Sequence, residues 1–207
     1  LLENFPPKEW VYLAVGSSAT SILAEIQLRF GSARIVNMPL SGIKDNNFET
    51  LRDDVWKDEE KKSRLVKHFK HFLGMTEIGK RKVLLIDYVD KGFSLRLVRM
   101  YLVQYFKEVR KLDDKIARDM VMVYAVGLAS KLEEAKKSEE LAGTLFSIKD
   151  RKKELSEEER EGVKSMLGCM TWEVFKARNY VLYGKFMIET ILGKDYKPPE
   201  LFLKGGG

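Results

Sequence analysis

Asp87, Asp90, Lys91, Gly92 and Ser94 fall close together in a chain of 207 residues. Their chemistry is that of holding a hydroxylated anion. Carboxylates accept hydrogen bonds from sugar hydroxyls, and a lysine adds a charge-assisted contact to a phosphate. A glycine lets backbone amides approach the same oxygens closely. The Phe93 amide lies inside this group. A second small-residue turn, Gly16-Ser17-Ser18, offers amides and hydroxyls for the same purpose.

The elements around these residues place them at a ligand edge. Val83 to Ile86 is an unbroken apolar run, which suits a strand buried on both faces of a parallel sheet. Asp87 closes it, a polar turn containing Gly92 follows, and Leu95, Val98, Leu102, Tyr105 and Phe106 then recur at helical spacing. Strand, glycine turn and helix in that order put backbone N–H groups where they can hold an anion. The acid at the strand's carboxyl end sits where open α/β sheets place ligands. Around Gly16 the pattern repeats. Trp10 to Val15 is apolar, the turn is small, and Ile22, Leu23, Ile26 and Phe30 mark a helix that Gly31 stops.

The first stretch resembles the phosphoribosyl-diphosphate signature of type I phosphoribosyltransferases. In that family a hydrophobic strand runs into two adjacent acids, a short turn, then Thr-Gly-x-Thr and a helix. Asp87 matches the first acid, and Asp90-Lys91-Gly92-Phe93-Ser94-Leu95 is similar to Asp-Thr-Gly-x-Thr-Leu. Tyr88 stands at the second acid's position, and the turn is one residue shorter than the family's. The resemblance spans residues 10–148. It implies that the ligand is phosphoribosyl diphosphate or a nucleotide, bound with Mg2+. Asp87 would hold the ribose or the metal-linked oxygens, and Asp90 would lie over the anomeric region. The amides of Lys91, Gly92, Phe93 and Ser94, with the Ser94 hydroxyl, would hold the 5′-phosphate. Gly16, Ser17 and Ser18 would contact pyrophosphate, and Lys44 would meet a phosphate from a mobile loop. If the domain is catalytic it is a glycosyltransferase. The alternative is a non-catalytic interaction or regulatory module that keeps the fold and presents residues 171–192 or 49–73 to a protein partner.

The expected fold is α/β: a mostly parallel sheet of about five strands flanked by helices, with a C-terminal helical cap. The expected organisation is a phosphoribosyltransferase-like domain over residues 1–148, a helical cap over 149–204 and a tail over 205–207. Further strands are expected at 34–38, 120–129 and 143–148. Residues 39–47 read as loop and 49–73 as one helix. Capping boxes at Ser130/Glu133 and Ser156/Glu159 start later helices, the last running over 171–192.

Composition bounds the rest. Hydrophobic residues are 44% and aromatics 11%, which argues against disorder. The net charge of +6 comes from 37 basic and 31 acidic residues, interspersed in sign, so no dedicated nucleic-acid surface is expected. The basic clusters flank acids such as Glu59, Glu60 and Glu154, as solvated helix faces do. The one cysteine, Cys169, leaves no partner for an intramolecular disulfide and points to a reducing, cytoplasmic setting. It is expected to be a buried core thiol. No apolar run is long enough for a membrane span. Leu1 at the start and the terminal Gly205-Gly206-Gly207 read as the ends of a piece of a longer chain.

Three other chemistries weigh less. Gly16-Ser17-Ser18-Ala19-Thr20 approximates a hydrolase elbow, but His68 and His71 are the only histidines, and no acid-then-histidine order follows a downstream strand. Those two histidines have metal-compatible spacing, yet Lys67 and Lys70 surround them, so they read as exposed helix polars. Cys169 lacks a neighbouring histidine to make it a nucleophile.

Overall fold

The computed structural model describes residues 4–16, 19, 22–23, 26–27, 35–74, 81–89, 91–126, 135, 137–138, 141, 145–146 and 187–198. Within them lie five strands: β1 (Trp10–Val15), β2 (Ile35–Met38), β3 (Lys82–Tyr88), β4 (Val121–Val126) and β5 (Leu145–Phe146). They form a sheet in the order β2-β1-β3-β4-β5, with every pairing parallel. The fold is α/β, as expected.

The unbroken apolar strands are explained by burial on two sides. Val11, Leu13, Val15, Val83, Leu85, Val121 and Val123 enter one core, while Trp10, Tyr12, Ala14, Leu84 and Ile86 enter a second. Leu23 and Ile26, from helical turns after β1, cover the second face. The first face is covered by α1 (Asp45–Asp54), α2 (Glu59–Leu73), α3 (Phe93–Glu108) and α4 (Asp114–Asp119). The change of face follows from chain direction. β1 connects outward to β2, and the chain then crosses back over β1 to reach β3. Right-handed crossovers must then lie on opposite faces.

The helix expected over residues 49–73 is two helices, and the first begins inside the expected loop. Asn47 opens α1 by accepting from the Lys44 amide at 2.7 Å and donating to the Gly42 carbonyl at 2.8 Å. The break between α1 and α2 is stabilised by Asp58, whose carboxylate accepts from the Lys61 amide at 3.0 Å. The helix expected over 171–192 also does not run through. Met187 is extended (φ −70°, ψ 143°) and bridges in parallel to Ser41, and only α5 (Ile188–Leu192) follows as helix. The rest of the expected cap, both capping boxes and Cys169 lie outside the described residues. Among the described residues no helix is long and apolar enough to cross a membrane.

Segment 187–198 docks across the first face. Ile188 donates to the Ser41 carbonyl at 2.8 Å, and Ile188 and Ile191 are fully buried. His68, read from sequence as an exposed helix polar, is fully buried on α2 and meets the Tyr196 hydroxyl through Nδ1. His71 is half-buried beside Phe72. Burial pushes the His68 imidazole down to about 3, against a smaller opposing pull from the Pro39 carbonyl, with the His71 charge adding slightly to the depression. Burial also raises the Tyr196 phenol above its usual range.

The unfolded chain therefore takes a proton at His68 before the folded chain does. Its contribution to stability is complete above about pH 6.5 and is lost as pH falls toward 3, at about 1.4 kcal/mol per pH unit. Urea midpoints measured between pH 7 and pH 4 are expected to fall less steeply in His68→Phe than in the parent. Equal slopes would show that His68 is not held neutral by the fold.

Candidate functional site

β1 and β3 are the adjacent strands from which the chain departs in opposite directions, β1 outward to β2 and β3 outward to β4. At such a reversal the connections leave a crevice at the carboxyl edge, where doubly wound sheets bind ligands. Here that edge carries a cleft of about 340 Å3. Asp87, Tyr88 and Lys91 to Leu95 line one side, with Ile43, Lys44 and Asp45 opposite. The volume falls within the range of small-molecule sites.

Each wall has a local cause. β3 continues through Tyr88, paired with Val126, and the Val89 amide donates to the Val126 carbonyl at 2.8 Å. The strand end is thus rigid. Asp87, by strand parity on the same face as Val83 and Leu85, is only 6% exposed, and its Oδ1 accepts from the Tyr88 amide at 2.8 Å. Gly92 turns the chain into α3 with φ +80°, the left-handed region. A Cβ there would lie 3.2 Å from the Ala135 Cβ. Among the described residues no hydrogen bond reaches the Phe93, Ser94 or Leu95 amides, and α3 has no acid in its first turn. The helix therefore presents donors and the positive end of its dipole to the cleft.

Facing pieces are clasped in two ways. Phe93 packs on Phe48 of α1 with ring centroids 5.2 Å apart, and the Arg96 guanidinium lies 4.5 Å from the Phe48 ring. At the surface, Lys91 Nζ pairs with Asp45 Oδ2 at 3.2 Å. An exposed pair of this kind contributes at most about 1 kcal/mol, so it opens at small cost. Lys44 is exposed and makes no ion pair among the described residues. The loop that carries it is backed by segment 187–198: a Cβ on Gly42 (φ +86°) would meet the Met187 methyl at 2.7 Å.

The cleft thus brings together Asp87, Lys91, Gly92, Phe93, Ser94 and Lys44 from the sequence-derived set. Gly16 is not among the lining residues. Its amide donates to the Met38 carbonyl at 2.9 Å, and its φ of +65° serves a turn beneath the Leu40 carbonyl. Ser17, Ser18 and Asp90 lie outside the described residues. Asp45 and Ile43 were missed from sequence, because nothing local marks Asp45 as the partner of a lysine 46 positions away. For a metal, no cluster of three His, Cys, Asp or Glu groups occurs among the described residues. Asp87 supplies one carboxylate, which suits an ion carried in on ligand phosphates and coordinated mostly by them and by water. No family model, curated protein or solved structure matches the chain.

The glycine is a demanding test of the turn. Gly92→Ala is expected to lower unfolding free energy by about 1–2 kcal/mol, the cost of a left-handed residue with a Cβ, read from urea midpoints at unchanged m-value. Stability equal to the parent would mean that the turn is not held at positive φ. A bulky residue at Gly92 would also press on Ala135, so it cannot separate ligand loss from folding loss.

Proposed function

We propose that this cleft binds a phosphorylated ribose. The observation that carries the proposal is the meeting, in one cavity at the sheet's reversal point, of a buried carboxylate and the open amides of a helix start, with two lysines at the rim. The phosphate would accept from the Phe93, Ser94 and Leu95 amides and from the Ser94 hydroxyl, with Lys91 and Lys44 supplying charge. Asp87 would accept from the ribose hydroxyls. Its position at the buried end of β3 fixes where those hydroxyls would lie.

Phosphoribosyl diphosphate and nucleotides share this chemistry. With the diphosphate, magnesium would supply charge neutralisation between the leaving oxygens and Asp87. Transfer to an acceptor would additionally require stabilising an oxocarbenium-like centre.

Thermal unfolding tests the reading. With ligand at about 100 times its Kd, binding to the native state adds about 2.7 kcal/mol, which corresponds to a rise of roughly 5–10 °C in Tm for a domain of this size. Such a rise is expected with phosphoribosyl diphosphate plus magnesium or with a nucleoside monophosphate. It should shrink or vanish in Asp87→Asn, which keeps the side-chain oxygen facing the Tyr88 amide. An unchanged midpoint at millimolar ligand would overturn the proposal.

A further inference from the structure

Two aromatic residues line the cleft, Phe93 and Tyr88; the Phe93 ring packs on Phe48, and the phosphate and ribose contacts leave Tyr88 unused. Tyr88 is 48% exposed, although it directly follows the buried Asp87. Ile116 is the other large apolar residue exposed to this degree among the described residues, and it sits on α4, before β4 and so toward the opposite edge of the sheet. The Tyr88 ring makes no aromatic pair and its hydroxyl no hydrogen bond among the described residues. Its backbone is fixed all the same, by pairing with Val126 and by the bond from its amide to Asp87. Strand parity sends Asp87 and Tyr88 to opposite faces at the carboxyl edge. A ligand lying over that edge therefore meets a carboxylate on one side and an aromatic face on the other.

Charge points the same way. Lys44 and Lys91 are balanced by Asp45 and Asp87 in the cleft lining. The described lining residues are thus formally neutral together, which suits a monophosphate, of charge about −1.5 to −2 near pH 7, better than the more highly charged diphosphate. Ribose has no π-face to stack on an aromatic ring at this position, whereas a planar base does.

From these observations we infer that Tyr88 is a base-stacking platform and that the ligand class is a nucleoside monophosphate. The phosphate sits on the start of α3, the ribose on Asp87 and the base against Tyr88. This inference rests on the phosphorylated-ribose reading and narrows it. Stacking tolerates any base, because every base has a π-face, so the contact selects nucleotide over sugar phosphate.

Titration calorimetry of the full chain separates the alternatives, using ribose 5-phosphate, phosphoribosyl diphosphate with magnesium, and the four common nucleoside 5′-monophosphates. The nucleotides are expected to bind at least about ten-fold more tightly than ribose 5-phosphate, in line with the effect of removing one stacking ring. Tyr88→Ala should erase that advantage and leave ribose 5-phosphate affinity within about two-fold. Tyr88→Phe should keep it. The exposed ring makes these variants safe for folding, which far-UV circular dichroism would check. Equal affinity of the parent for nucleotide and sugar phosphate, or equal weakening of both in Tyr88→Ala, would overturn the stacking role while leaving the phosphorylated-ribose reading intact. No binding of any of these ligands would overturn both.

Discussion

The carboxyl edge depends on β3 being held between β1 and β4. Its apolar residues Val83 to Ile86 are fully buried, and its two faces feed two separate cores. A central parallel strand of this kind has little freedom to shift, because a one-residue slip would turn its whole apolar set to the wrong faces. The strand therefore delivers Asp87 and Tyr88 to fixed positions. The reversal of chain direction beside β3 does the rest, since the connections from β1 and β3 diverge and leave space above the sheet.

The walls of that space are positioned by contacts distant from it. Phe48, Phe93 and Arg96 tie the start of α3 to α1. The parallel bridge from Met187 to Ser41 braces the loop carrying Lys44, and His68 with Tyr196 fixes the same segment to α2. Among the described residues only the Lys91–Asp45 pair spans the mouth directly, and it is the weakest of these links. The rim charges can thus rearrange around a ligand while the floor and the helix start stay in place.

Much of this was legible in the sequence. Unbroken apolar runs ending in polar turns marked β1, β3 and β4, and the same turn chemistry singled out Asp87, Lys91, Gly92 and Ser94, which line the cleft, because strand burial and turn chemistry are local. What depended on distant residues was not legible. Periodicity carried across Val55 to Asp58, where neither proline nor glycine signals the break between α1 and α2; the Asp58 carboxylate ahead of two glutamates was the available cue. His68 looked like a solvated polar residue because the hydroxyl that satisfies it lies 128 positions away. Met187 looked helical because its neighbours are apolar and its bridge to Ser41 is formed only in the fold.

Under the proposed function the open helix start of α3 receives a phosphate. Backbone amide chemical shifts, followed by heteronuclear NMR while ribose 5-phosphate is titrated into the protein, test it most directly. The largest changes are expected at the Phe93, Ser94 and Leu95 amides, saturating together with one affinity. Saturable changes that leave these three amides unmoved, or no change at millimolar ligand, would contradict it.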